Sequence, residues 1–140
     1  MKKIILIVAV LMSVQAFANN PQIRTCRINK AYFWSIKIEQ PAKDSIGFCR
    51  YDESLIGSIT LMKLLYDKVN TAALDAFYGT INSKVKDCQA AGAQRISSID
   101  SEGDKRNLCY FSSDYSFILE KTLTEGWYSN LNAKLIDILK

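Results

Sequence analysis

The sequence contains no histidine among its 140 residues. Histidine changes charge near neutral pH, and it is the base of most catalytic triads and a common zinc ligand. Its absence excludes those reaction centres. No serine lies in a Gly-x-Ser-x-Gly turn, and no glycine-rich loop is present to hold phosphate groups. Scattered carboxylates and lysines are the acid–base groups that remain.

Long apolar runs are also missing, apart from one near the N-terminus. Two lysines precede an uncharged stretch, residues 4–12, and Ala16-Phe17-Ala18 then supplies the small residues of a cleavage site. The apolar stretch is shorter than the roughly 20 residues that span a bilayer. The pattern predicts a signal peptide over residues 1–18 and a mature, soluble protein that begins at Asn19, in the periplasm or outside the cell. No cysteine lies at the cleavage site, so a lipoprotein is not expected.

A strong excess of charge of one sign is absent from the predicted mature chain. Two of the 18 basic residues precede residue 19, which leaves 16 against 14 acidic residues, a net charge of +2. The two signs are interspersed, whereas nucleic-acid binding needs a basic stripe or patch. We therefore expect no nucleic-acid partner. Stable insertion into a membrane is not expected either, because no apolar run after residue 18 is long enough to span a bilayer.

Cysteine is scarce, and the four cysteines all follow residue 18: Cys26, Cys49, Cys88 and Cys109. An even number of cysteines in an exported protein indicates two disulfides, and four cysteines allow three pairings. Spacing alone does not choose among them. A structural zinc site is not favoured, because its usual Cys-x-x-Cys pairs are missing. No metal and no cofactor are expected.

The chain resembles itself at an offset of 62 residues. Polar identities share this register without a gap, for example Ser54 with Ser116 and Thr60 with Thr122. Chance similarity between apolar segments does not easily explain aligned polar residues. The match predicts two related units, residues 19–80 and residues 81–140.

The same offset suggests how the cysteines pair. Cys26 falls on Cys88, and Cys49 falls two residues beyond Cys109. Each unit then carries one early cysteine and one later cysteine. The repeat therefore predicts one disulfide inside each unit, Cys26–Cys49 and Cys88–Cys109.

A strand hairpin is predicted in each unit. Residues 32–39 and 45–51 are rich in aromatic and branched side chains, with turn-forming residues at 41–44. In the second unit, residues 94–99 and 107–111 flank the turn at 101–104. A Ser-x-Ile-x-x-x-Thr-Leu segment follows each hairpin and predicts a third strand.

A helix is predicted to close each unit. Apolar residues recur with helical spacing from Leu61 to Phe77, and Gly79 is placed to end that helix. In the second unit, Thr122 with Glu125 favours a capping box, while Gly126 favours a later start, near residue 127. The predicted class is α+β: two related units, each a disulfide-linked antiparallel strand hairpin plus a closing helix, packed as one compact domain.

Each unit also resembles a small exported bacterial family of unknown function that is often labelled a hemolysin. Asn20-Pro21 before Cys26, and Cys109-Tyr110-Phe111 followed by Asp114-Tyr115-Ser116, match the motifs of that family. The first unit lacks the family's glycine pair, and Tyr115 stands where the family has glycine. The resemblance implies an exported, disulfide-containing domain and implies no particular mechanism.

The candidate binding surface combines aromatic residues with the two predicted hairpin ends. It consists of Trp34, Lys43, Asp44, Glu102, Asp104, Arg106 and Trp127. Aromatic and arginine side chains often anchor protein partners. Core packing and solvated turns would explain the same residues without any function.

Three hypotheses for function follow from these observations. The first is an exported, non-enzymatic binding module, such as a protein inhibitor, with an unidentified protein or cell-envelope ligand as its partner. The second is a hydrolase that acts on cell-wall glycan with carboxylates alone, which needs two acidic residues in one cleft. The third is a membrane-active toxin, which needs an exposed apolar or basic amphipathic surface.

Overall fold

Six antiparallel strands form the centre of the molecule. The computed structural model describes residues 20–39 and 44–140, so the predicted signal peptide and most of the first predicted turn lie outside the described residues. The strands are β1 (Tyr32–Ile38), β2 (Ser45–Tyr51), β3 (Ser54–Gly57), β4 (Gln94–Ile99), β5 (Lys105–Phe111) and β6 (Ser116–Leu119). They close into a barrel in the order β1-β2-β3-β6-β5-β4.

Short helices flank the barrel. They are α1 (Pro21–Ile28), α2 (Ser58–Asp67), α3 (Ala72–Gly79), α4 (Glu120–Glu125) and α5 (Ala133–Leu139), with 3₁₀ turns at Gln89–Ala91 and Asn130–Asn132. Helix α1 has a strong N-terminal signal, because the Asn20 side chain accepts hydrogen bonds from the amides of Gln22 and Ile23. Each half of the chain has the same order of elements: a helix or helical turn, three strands, then further helices.

The core has two layers, because successive strand residues point to opposite faces of the barrel wall. The inward-facing residues fill the barrel: Ile36, Ile38, Phe48, Leu55, Ile96, Leu108 and Leu119. Outward-facing residues such as Ile56 and Ile118 pack under the helices, against Leu61, Phe77 and Leu123. The helices therefore cover the outside of a barrel that is itself filled.

The two halves meet along two short seams. Strand β3 pairs with β6 at Ile56 and Ile118, and β1 pairs with β4 through Lys37–Ile99 and Ile38–Ser98. Hydrogen bonds cross the first seam in both directions. The Leu55 amide donates to Thr122 Oγ1 at 3.0 Å, and the Phe117 amide donates to Thr60 Oγ1 at 3.2 Å.

The two disulfides join Cys26 to Cys49 and Cys88 to Cys109. All four cysteines are fully buried in the outer layer of the core. Each bridge ties a segment that precedes the first strand of its half to the second strand. The pairing therefore lies within each half of the chain.

The predicted α+β class is confirmed, and the strands predicted at 45–51 and 94–99 have those bounds. The third predicted strand is shorter than its sequence motif. It ends at Gly57 in the first half and at Leu119 in the second, and the Thr-Leu pair that follows lies in a helix. The threonines face the neighbouring strand of the other half, which the local pattern does not reveal.

The single helix predicted from Leu61 to Phe77 is wrong. Lys68 adopts a left-handed backbone conformation, with φ of 56°, and ends α2, and α3 begins only at Ala72. The break turns the chain so that Leu74 and Phe77 reach the core. Gly79 is indeed the last residue of α3.

The predicted capping box in the second half is also wrong. Thr122 and Glu125 both lie inside α4, and the Thr122 hydroxyl accepts its hydrogen bond from Leu55 rather than capping a helix. The later start favoured by Gly126 corresponds to the 3₁₀ turn at Asn130–Asn132, which leads into α5.

Candidate functional site

One end of the barrel carries a concave, mainly apolar surface that we call the apolar groove. It lies where β1, β3 and β5 end and β2 and β6 begin, and its volume is about 420 Å³. The groove is lined by Gln22, Ile38, Asp44, Ser45, Ile46, Gly47, Gly57, Ile59, Thr60, Ile96, Tyr110, Tyr115 and Phe117. This volume is within the range of about 300–1,000 Å³ that is typical of ligand pockets.

Aromatic rings form one wall of the apolar groove. The ring centres of Tyr110 and Phe117 are 4.8 Å apart, and those of Tyr110 and Tyr115 are 6.4 Å apart. Tyr115 is 75% exposed, and Ile59, which also lines the groove, is 53% exposed. Large apolar side chains that stay exposed beside a concavity are typical of binding surfaces.

Asp114 fixes the turn that presents Tyr115. Its carboxylate accepts hydrogen bonds from the amides of Ala72 and Ser116 and from the Ser116 hydroxyl. Burial would raise the pKa of Asp114, but these hydrogen bonds and the nearby Lys63 outweigh it, so the pKa lies below its ordinary value. Tyr115 itself has a φ of 59°, which a non-glycine residue rarely adopts.

Gly57 allows the elements of the groove to approach closely. A β-carbon at this position would lie 2.9 Å from Thr60 Oγ1 and 3.2 Å from the Phe117 carbonyl oxygen. Any larger residue would push β3 away from β6 or would break the hydrogen bond between Thr60 and Phe117. The floor of the groove therefore depends on glycine.

The opposite end of the barrel is filled by charged and aromatic side chains. The Arg50 guanidinium lies 3.9 Å from the centre of the Trp34 ring, and the Arg106 guanidinium lies 5.6 Å from it. Arg106 also forms an ion pair with the buried carboxylate of Asp100 at 2.7 Å. Two arginines over one tryptophan ring, one of them paired with a buried acid, therefore plug this end of the barrel.

The contacts of Asp100 at this end of the barrel lower the pKa of its carboxyl group. Burial alone would raise it, but Arg106 and the amides of Asp104 and Glu102, which donate to the carboxylate, outweigh that effect. The pKa therefore lies below its ordinary value, and the carboxylate stays ionised at neutral pH.

Carboxylates line a second cleft, at the plugged end. It has a volume of about 500 Å³ and is lined by Tyr32, Trp34, Arg50, Asp52, Glu53 and Glu102. Asp52 pairs with Lys134 at 3.0 Å, and Glu53 lies 3.9 Å from Arg50. Both acids are more than half exposed, which differs from the shielded setting that a general acid in glycan hydrolysis requires.

One cluster has the composition of a metal site. A sulfur atom of Cys88, one of Cys109 and a carboxylate oxygen of Glu120 lie within 4.8 Å of one another. The two sulfurs are bonded to each other, so neither is a thiolate ligand. Glu120 accepts hydrogen bonds from Arg95 and from the Cys88 amide, which gives it a structural role.

The residues of the predicted binding surface lie in three places. Trp34, Glu102 and Arg106 are brought together at the plugged end, with Asp104 exposed on the same hairpin. Asp44 instead lines the apolar groove. Trp127 is elsewhere, against Phe77 and Tyr78 in the outer layer of the core. Lys43 lies outside the described residues.

Sequence reasoning missed the two large apolar residues that stay exposed in the apolar groove, Ile59 and Tyr115. Ile59 follows a buried strand and reads as one more core residue. No local pattern singles out Tyr115, but its backbone conformation is one that favours glycine. A bulky aromatic residue at such a position indicates a role for its side chain.

Searches against protein-family models, curated proteins and solved structures gave no match. None of the helices within residues 20–39 and 44–140 has the length and apolar character needed to cross a membrane.

Proposed function

We propose that the chain is an exported, non-enzymatic binding module and that it binds its partner through the apolar groove. The observation that carries the proposal is an apolar concavity of about 420 Å³ with Ile59 and Tyr115 exposed on its rim. Exposed apolar surface is costly in water, and a bound partner would recover that cost.

The partner that best fits this groove is a protein that inserts an apolar anchor side chain. Protein interfaces concentrate their binding energy in such pockets, which a polar rim surrounds. Here Gln22, Asp44 and Ser45 supply polar groups around the apolar lining. A protein inhibitor of the envelope or of the secreted fraction acts through a surface of this kind.

Export is the second part of the proposal. The signal-peptide pattern of residues 1–18 supports it, as do two disulfides, since disulfides persist in oxidising compartments. The intact mass of the protein recovered from the periplasm or the medium tests this part. We expect a chain that begins at Asn19, and exported protein that retains Met1 would contradict it.

We also propose that the two halves are copies of one unit, related by a pseudo-two-fold axis. The offset of 62 residues supports this, and so does the shared order of elements in the two halves. The exchanged hydrogen bonds of Thr60 and Thr122 support it further, because each threonine contacts the strand that precedes the other.

A hydrolase that uses carboxylates alone has weaker support. The cleft with Asp52, Glu53 and Glu102 has the required residue type, but Asp52 pairs with Lys134, Glu53 lies near Arg50, and both acids are more than half exposed. If the wild-type protein cleaves a glycan, and if the Asp52→Asn and Glu53→Gln variants each lose that activity, the hydrolase would be favoured over the binding module.

Site-specific photo-cross-linking tests the binding proposal. A photoreactive phenylalanine replaces Tyr115 at the groove and, as a matched control, replaces Tyr128, a tyrosine of similar exposure that does not line the groove. In cells that export the protein, we expect a discrete adduct with another protein from position 115 only. A second change, Ile59→Asp, is expected to abolish that adduct. Equal adducts at both positions, or an adduct that Ile59→Asp leaves unchanged, would contradict the proposal.

A further inference from the structure

Another concave surface, here called the basic pocket, also lies beside the plugged end of the barrel. Its volume is about 320 Å³. It is lined by Lys86, Lys105, Arg106, Asn107, Leu119, Glu120, Lys121 and Thr124. The side chains come from β5, from the end of β6, from α4 and from the segment that precedes the second disulfide.

The basic pocket carries an uncompensated positive charge. Among the described residues, no carboxylate lies within 4.0 Å of the ammonium groups of Lys86, Lys105 or Lys121. The acid in the pocket, Glu120, is already paired with Arg95 at 2.8 Å. Arg106 is balanced in the same way by Asp100.

The positive charge at the basic pocket is large compared with the net charge of the whole mature chain. Three unpaired lysines face the basic pocket, whereas residues 19–140 carry a net charge of only +2, from 16 basic and 14 acidic residues. The rest of the chain is therefore slightly acidic. A local positive field on such a protein attracts anions to one place instead of to the whole surface.

The basic pocket occupies the place in the second half that the apolar groove occupies in the first. Ser45 starts β2 opposite Lys37, and Lys105 starts β5 opposite Ile99, so residues 45–47 and 105–107 hold the same places in their hairpins. Ile59 and Lys121 are each the second residue of the helix that follows the third strand.

The same framework thus presents apolar side chains at one end and cations at the other. The change at equivalent places is systematic: Ser45 corresponds to Lys105, Ile46 to Arg106, and Ile59 to Lys121. Structural packing does not require the lysines of the basic pocket, because Lys86, Lys105 and Lys121 are all exposed, whereas Arg106 also pairs with the buried Asp100. A second ligand of opposite chemistry accounts for both the concavity and its charge.

We propose that the basic pocket binds a ligand that carries a phosphate group. Lysine binds phosphate as a point charge, and three lysines around one concavity match an anion with more than one negative charge. Asn107 and Thr124 add neutral hydrogen-bonding groups at the same surface. The phosphate is that of a free anion or of a lipid headgroup, and the two sources are distinguished by the probe that binds.

The test measures amide chemical shifts of the full mature protein by NMR. One titration uses inorganic phosphate, and another uses vesicles of equal parts phosphatidylglycerol and phosphatidylcholine, with pure phosphatidylcholine as the blank. We expect saturable shifts or line broadening centred on residues 105–107 and 119–124, and weaker binding at high salt. Binding of phosphate identifies a free anion, and binding of the anionic vesicles alone identifies a lipid headgroup.

The matched variants have equal charge. Lys86→Gln, Lys105→Gln and Lys121→Gln are combined in one protein, and Lys37→Gln, Lys134→Gln and Lys140→Gln in the other. If anionic lipid is the ligand, the first triple variant should bind the anionic vesicles roughly a hundredfold more weakly than the wild type. If a free phosphate is the ligand, this variant should lose the localised chemical-shift changes that phosphate causes. The second should stay within a fewfold of the wild type.

Two results would overturn the proposal. Equal losses in the two triple variants would show that net charge alone attracts the anion. The absence of localised shifts with both probes in a folded wild-type protein would show that the pocket has no phosphate site. Neither result bears on the cross-link expected from Tyr115.

Discussion

At the scale of single residues, Thr60 and Thr122 hold the two halves together. Each hydroxyl accepts a hydrogen bond from a backbone amide of the opposite half, and both threonines are buried. Valine has nearly the same shape but cannot accept a hydrogen bond. Thr60→Val and Thr122→Val should each lower the free energy of unfolding by about 1–3 kcal/mol, because a buried amide is left unpaired.

Urea denaturation measures the cost of each change. Thr124→Val is the control, because Thr124 lies on the same helix as Thr122 but is less buried and bonds only its own helix. We expect this control to change stability by less than about 0.5 kcal/mol. A loss in the control as large as in the other two variants would mean that the cross-half hydrogen bonds are not what the threonines contribute.

The ion pair of Asp100 with Arg106 makes stability depend on pH. Because the pKa of Asp100 is lower in the folded chain than its ordinary value of about 3.9, its contribution is present above about pH 4 and is lost as the pH falls through the folded pKa. The pKa of Asp114 is also lowered in the folded chain, so its contribution to stability is likewise lost at low pH. Stability should therefore decrease as the pH is lowered from neutral to about pH 3.

Asp100→Asn should reduce this dependence and should also destabilise the protein at neutral pH. Urea midpoints measured across the pH range for the wild type, for Asp100→Asn and for Asp104→Asn separate the contributions. Asp104 lies on the same turn with an exposed side chain, so its variant should follow the wild-type curve. A wild-type slope in the Asp100→Asn protein would contradict the assignment.

At the scale of elements, the break between α2 and α3 depends on Lys68. Its left-handed conformation is unfavourable for a residue with a β-carbon, by roughly 1–2 kcal/mol. Lys68→Gly removes that strain, although glycine also costs more entropy on folding. We expect a net stabilisation of about 0.5 kcal/mol, measured by thermal or urea unfolding.

Lys68→Ala is the matched control for this change. It loses the same hydrogen bond from the Lys68 ammonium to the Leu65 carbonyl oxygen but keeps the β-carbon. This variant should not be more stable than the wild type. If both variants behave alike, backbone strain at this position does not limit stability.

The elements themselves were largely predictable, because their signals are local. Aromatic and branched residues indicated β2, and the turn residues at 101–104 placed β4 before them, so the predicted bounds of both strands are those of the structure. The helix break was not predictable in the same way, since the apolar stripe from Leu61 to Phe77 continues across it. That break depends on packing against the barrel, and those contacts involve residues that are distant in the sequence.

The sites were less predictable than the elements. The apolar groove takes residues from α1, from all six strands and from α2, and these are brought together only when the barrel closes. Arg106 was predicted to be a surface anchor, but its guanidinium also pairs with the buried carboxylate of Asp100 at the plugged end of the barrel. Trp127 was selected for its aromatic ring, and packing explains that ring fully.

At the scale of the whole molecule, the two disulfides should contribute similar amounts to stability. They close chain segments of similar length, with sequence separations of 23 and 21 residues, and both are fully buried. Replacing either pair by alanine should cost about 3 kcal/mol, because the unfolded chain gains conformational freedom.

Denaturation of Cys26→Ala/Cys49→Ala and of Cys88→Ala/Cys109→Ala, each with the other bridge intact, measures the two contributions. The protein without both bridges is expected to be marginal or unfolded. Peptide mapping without reduction checks that the remaining bridge is native. A large difference between the two losses would show that packing, and not loop closure, sets the value of each bridge.

The way in which the barrel closes has a consequence for assembly. Three strands from residues 32–57 and three from residues 94–119 meet at two short seams, joined by a single covalent connection. A half from one chain could complete the barrel of another with the same contacts. The exchange therefore loses no contacts, and its free-energy cost is mainly that of bringing two chains together. Refolding at high protein concentration should therefore yield a larger fraction of domain-swapped dimer than refolding at low concentration, as measured by size-exclusion chromatography. Because each barrel of such a dimer would keep both of its ends, the swap would double the binding surfaces without creating a new one.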